Sequence, residues 1–223
     1  MKKFVGLLIV MTMCISMCSC RAAAELPKDF VIPVMQENDA TAQGLVKLGI
    51  LKGTGNGLEL GRNVTRAEAV ALILRIHHFN GAFTQEYPMV FDDIQEHWAE
   101  NEIIYAYKLG IVEGAGNKKF EPDRKVTGKE FAKMIMSTVG YDDITIANVY
   151  KKSMDAELLL NNYSKKVVEE NWILTRSDAV RLLWGAFLTR LPDGRFYKDK
   201  LLETGKFTEE DFNGTLYTRC DIQ

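Results

Sequence analysis

"NVTRAEAVALIL", residues 63–74, opens a helix and shows how its start is held. Thr65 and Glu68 stand three apart at the head of an apolar run, the spacing of a reciprocal capping box. In that arrangement the Thr hydroxyl accepts from an orphan backbone N–H, and the acid reaches back to the cap residue. Variants recur as "KVTGKEFAKMIM", residues 125–136, and "ILTRSDAVRLLW", residues 173–184, with Thr127/Glu130 and Thr175/Asp178 in the same roles. Behind each box the apolar positions fall on one helical face: Val70, Ile73 and Leu74; Phe131, Met134 and Ile135; Val180, Leu182 and Leu183. Stripes of this kind are core.

The recurrence extends upstream. Gly49-Ile50 aligns with Gly110-Ile111, Gly53 with Gly114, and Gly55-Asn56 with Gly116-Asn117. Leu58 aligns with Phe120 and Arg62 with Arg124, after one residue inserted in the second copy. A worn third copy starts near Ala156; it keeps Thr175-Arg176 but has lost the glycines. Each unit reads as helix, glycine-rich loop, helix. In "HWAENEIIYAYKLG", residues 97–110, the spacing puts Trp98, Ile103, Ala106 and Leu109 roughly on one face and ends the helix at Gly110. Units this small bury too little surface to stand alone, so the copies are expected to pack together. The fold class is all-α, a compact bundle with loops projecting outward.

Composition narrows the function. The 223-residue chain is 47% hydrophobic and 26% charged with a formal net charge of −2, which lacks the basic surplus a nucleic-acid binder needs. Lys2 and Lys3 followed by the apolar run from Phe4 to Met17 read as a secretory signal within residues 1–24. Two cleavage readings stand: "MCSC", residues 17–20, which resembles a lipoprotein box with Cys20 as the lipid attachment site, and "AAA", residues 22–24. A lipid on Cys20 would tether the chain to a membrane. Cys14, Cys18 and Cys20 lie in that segment, so only Cys220 is left and no disulfide framework is expected.

Thr and Glu are explained by capping, but the arginine is not. Arg66 and Arg176 sit at the first helical position, where the dipole disfavours a cation by roughly 0.3–1 kcal/mol. One reading is a solvated or ion-paired surface arginine. The other is an anion site, where exposed N–H groups, the helix dipole and a guanidinium converge on a carboxylate. The second copy has Gly128 at this place, with Lys129 beside it as a point-charge substitute.

The stretch from Phe91 to Tyr141 resembles an S-layer homology module, through Phe91-Asp92-Asp93, His97-Trp98-Ala99, Gly110-Ile111-Val112, Gly114, Phe120-Glu121-Pro122 and Val126-Thr127. "VTRAEAVALI", residues 64–73, is similar to the family's most diagnostic motif. The resemblance implies three tandem modules, here at about residues 35–80, 90–141 and 142–190, in a pseudo-threefold bundle with three prongs. It also implies grooves that bind secondary cell-wall polysaccharide, often carrying a pyruvate ketal. On that basis Arg66, Arg176 and Lys129 would meet the acidic group, and backbone at Gly53 and Gly114 would approach the sugar. Trp98 would stack on a sugar face, although core packing is its simpler role. The third copy lacks the loop glycines and the second lacks the arginine, so at most two grooves are expected to be equipped.

Reactive groups do not converge by motif. There is no P-loop, dinucleotide fingerprint or zinc spacing, and the adjacent His77 and His78 point apart on a helix, so no metal or cofactor is expected. Asp92-Asp93 reads as the cap of the helix leading to Trp98. Residues 191–223 read as an appendage too short for a catalytic domain, with a turn at "LPDG" and a short helix in "FTEEDF". The expected function is a non-catalytic, exported envelope protein bound to wall polysaccharide. The alternative is a repeat scaffold that binds another envelope protein.

Overall fold

The computed structural model describes residues 39–77, 88–205 and 207–212, and among them all regular structure is helical. In chain order the helices are α1 (Ala40–Lys47), α2 (Arg66–Ile76), α3 (Glu100–Lys108), α4 (Gly128–Thr138), α5 (Val149–Asp155), α6 (Asn162–Glu169), α7 (Arg176–Phe187), α8 (Tyr197–Glu203) and α9 (Glu209–Phe212). Isolated bridges replace a sheet. The signal segment, Cys20, His78 and Cys220 lie outside the described residues.

Helices α2, α4 and α7 each start at a complete capping box: Thr65 with Glu68, Thr127 with Glu130, and Thr175 with Asp178. The residues just before them close into a ring. Val126 N–H donates to Val64 O, Leu174 N–H to Val126 O, and Val64 N–H to Leu174 O, each at 3.0 Å. All three side chains are fully buried. The outer helices continue the circuit, since α3 packs on α2, α5 on α4 and α1 on α7. Each capped helix therefore supports the helix that follows it in the chain, and α1 closes the circle on α7. Stability is shared around the ring, because each capped helix packs on an outer helix of another unit, α2 on α3, α4 on α5 and α7 on α1.

Two outer helices end at a glycine in the left-handed region, Gly49 and Gly110, both at φ +71°. The third, α5, ends the same way at Glu157, φ +65°. Leu158-Leu159 is the buried run that follows this helix, equivalent to Ile50-Leu51 and Ile111-Val112. Loops follow in the first two copies, with residues 52–57 and 113–119 exposed. The third copy has α6 in that place. Its backbone lies so close to α4 that a Cβ on Gly128 would fall 2.3 Å from Val167 O. A second close approach seats Leu158 O at 2.3 Å from where a Cβ on Gly185 would be.

The face expected for α3 is corrected. Ile103 and Ala106 are buried, but Leu109 is 43% and Trp98 is 59% exposed. The helix begins at Glu100, so Trp98 precedes it and does not share its phase. Asp93 does not cap α3 either. Its carboxylate accepts from the N–H groups of Phe120 and Glu121, both at 2.8 Å, and so pins the far end of the loop. At the other end of the chain, Phe207 and Phe212 pack edge-on against Phe187, with centroids 6.3 and 5.2 Å away. Thr208 caps α9 through Asp211.

Candidate binding groove and the two buried arginines

Arg66 and Arg176 do not stand free at their helix starts. Each is 5% exposed and reaches across to the loop of another copy. Arg66 Nε donates to Phe120 O at 2.9 Å and Nη2 to Glu113 O at 3.0 Å, while Nη1 meets Glu130 Oε1 at 3.1 Å. Its guanidinium also lies 4.5 Å from the centre of the Phe120 ring. Arg176 repeats the grip one copy round: Nε donates to Leu58 O and Nη2 to Lys52 O, both at 2.7 Å. Glu113 and Lys52 occupy matching loop positions, as do Phe120 and Leu58. Burial pushes both guanidinium pKa values down, opposed at Arg66 chiefly by Glu130. An arginine stays charged through such a shift.

The backbone donors at these helix starts are also occupied. Arg66 N–H bonds Arg124 O at 2.9 Å and Ala67 N–H bonds Pro122 O at 2.9 Å. Arg176 N–H bonds Arg62 O and Ser177 N–H bonds Leu60 O, each at 2.8 Å. The expectation of exposed N–H groups converging on an anion is corrected here, because carbonyls of the neighbouring loop take those donors. At the third junction Gly128 N–H goes to Trp172 O at 2.8 Å and Lys129 N–H to Asn171 Oδ1 at 3.1 Å. The space an arginine would need is filled by Val167 and Val168 backbone. The copy that lost its glycine loop is the one facing the helix that lost its arginine.

Around Arg66 a shallow groove of about 150 Å³ opens between α2, α4 and the second loop. Its apolar lining comes from Ile111, Val112, Met134 and Ile146. Its polar wall comes from Arg66, Glu113, Arg124, Glu130 and Lys133, with Gly114 and Ala115 at the loop. Gly114 is required by packing, since a Cβ there would meet the Phe91 ring at 2.6 Å. Glu130 ties the wall together: Arg124 Nη2 donates to it at 2.6 Å and Thr127 N–H at 3.0 Å. Burial raises the Glu130 carboxyl pKa, but the bonds from Arg124 and Thr127 and the nearby Arg66 outweigh it, leaving it below its ordinary value.

Of the residues marked in sequence, the groove brings together Arg66 and Gly114. Arg176 and Gly53 lie at the other loop, where a Cβ on Gly53 would come 3.1 Å from Gly57 O. Lys129 and Trp98 do not line the groove, and Trp98 instead presents an open surface next to His97. Sequence reading missed Glu113 and Lys133, and gave Arg124 and Glu130 no place in a groove. Arg62 and Arg124 were legible as an aligned pair, and both bind the acid of their own capping box, Glu68 at 2.7 Å and Glu130 at 2.6 Å.

The family model of the S-layer homology domain matches residues 90–132, which supply most of the groove lining. The chain carries an S-layer homology domain. The chain is 28% identical to the middle cell wall protein of Brevibacillus brevis over 188 residues, 82% of this chain and 18% of that protein. It is 30% identical to the S-layer protein sap of Bacillus anthracis over 123 residues, 55% of this chain and 14% of that one. Similarity to the exoglucanase XynX of Acetivibrio thermocellus, 30% over 119 residues, covers 52% of this chain and 10% of the enzyme. The chain thus spans less than a fifth of the length of each of these relatives.

Proposed function

We propose that the protein attaches to the cell wall by binding wall polysaccharide in the groove beside Arg66. The observation that carries this reading is the groove itself. It sets an apolar floor against a wall of charged hydrogen-bonding groups, and most of it is built from the segment that matches the S-layer homology model. A sugar ring needs both surfaces, because its C–H faces are apolar while its hydroxyls must be satisfied when they leave water. The names of the relatives, a cell wall protein and an S-layer protein, support the same setting.

In this account residues 35–80, 90–141 and 142–190 are three modules, and residues 191–223 are a C-terminal appendage. Arg66 holds the loop that forms the groove wall, Gly114 lets that loop come close, and Arg176 holds the matching loop of the first copy. Trp98 offers a separate stacking surface for a neighbouring sugar. The protein acts in the envelope after export, without chemistry of its own, and a lipid on Cys20 would place it between membrane and wall. Ala115 lies exposed on the groove wall, so Ala115→Trp fills the groove without entering the core. The variant is expected to keep the wild-type melting temperature and to lose at least about tenfold in affinity for purified wall sacculi, the loss of about 1.4 kcal/mol of contact. Unchanged binding by a folded Ala115→Trp protein would remove the groove from the account.

A further inference from the structure

We infer that Lys133 is the residue that receives the acidic group of the ligand, and that Glu113 occupies it as a built-in competitor until the ligand arrives. The inference rests on the wall-polysaccharide reading above. Three cations line the groove, and two are committed to the fold. Arg66 is buried and spends its donors on Phe120 O, Glu113 O and Glu130. Arg124 is shared between Glu121 at 2.7 Å and Glu130 at 2.6 Å.

Lys133 is held differently. Its Nζ meets Glu113 Oε2 at 2.9 Å, and the Glu113 side chain is 75% exposed while that of Lys133 is 18% exposed. A carboxylate that open to water adds little to stability and is cheap to displace. An incoming carboxylate can therefore exchange with Glu113 on a lysine that is already oriented and partly desolvated. The loop is unaffected, because its grip on Arg66 runs through the main-chain carbonyl of Glu113. Six residues past the capping threonine stand Lys133 in α4, Ala71 in α2 and Arg181 in α7. Arg181 lies 3.6 Å from Asp178 of its own capping box and 5.1 Å from the centre of the Tyr163 ring, so the lysine held by a loop carboxylate belongs to the α4 groove.

A double-mutant cycle on wall sacculi tests this. Glu113→Gln is expected to lower the protein concentration for half-saturation about two- to fivefold, the size of an exposed ion pair that no longer competes. Lys133→Gln is expected to weaken binding, and adding Glu113→Gln to it should give no gain. Equal gains in both backgrounds would overturn the assignment, since Glu113 would then act only as a general negative charge. Failure of the wild-type protein to bind sacculi at all would instead overturn the wall reading beneath it.

Discussion

Arg66→Ala is expected to destabilise the protein by about 3 kcal/mol, read as a lowered midpoint of urea unfolding. The largest share comes from Phe120 O, whose bond to Arg66 is buried and which is left without that partner; an orphaned buried acceptor costs about 1–3 kcal/mol. Loss of the guanidinium over the Phe120 ring adds about 1 kcal/mol. Arg66→Lys should recover only part of this, because an ammonium cannot span Phe120 O, Glu113 O and Glu130 as a planar fork does. Arg176→Ala should behave similarly, about 2 kcal/mol, since it releases two carbonyls and no carboxylate. A solvated arginine kept only for ligand would leave the midpoint nearly unchanged, within about 0.5 kcal/mol. That outcome would show that the clamp is not a structural element.

Gly128→Arg carries the second large effect, and its sign runs against the sequence pattern. Alignment with Arg66 and Arg176 suggests that an arginine here would repair a missing element. The geometry gives the opposite result. A Cβ at this position would sit 2.3 Å from Val167 O, 3.0 Å from Val167 C and 3.2 Å from Val168 Cα, all backbone atoms. Even Gly128→Ala must push α6 away from α4, at a cost of about 3 kcal/mol, and the arginine should cost more. There is also no loop for it to hold, because α6 fills that place. A Gly128→Arg protein as stable as wild type by thermal melting would mean that the third junction is looser than described.

These two cases show what could be read from the sequence. The capping boxes were legible because the spacing from Thr to acid is local and its chemistry needs no partner outside the helix. The fate of the arginines was not, since their acceptors lie 54 residues away for Arg66 and 118 for Arg176. The dipole argument identifies an unusual cation but offers it a ligand anion, solvent or a nearby acid, whereas carbonyls of the adjoining loop take most of its donors. Trp98 was misplaced by two residues of helical phase, because α3 starts at Glu100. Helix α6 replaced a loop without any glycine to mark the change; its Asn161 cap, which accepts from Ser164 N–H at 2.8 Å, was the available signal. Lys133 went unnoticed because it sits beside Met134 on a helix read for its apolar stripe, and only the folded loop brings Glu113 to it.

Co-sedimentation of the protein with wall sacculi, before and after acid removal of the accessory polysaccharide, tests the central claim most directly. The account predicts saturable pelleting with intact sacculi that is lost when the polysaccharide is stripped. Pelleting that survives stripping, or none with intact sacculi while the protein remains folded, would contradict it.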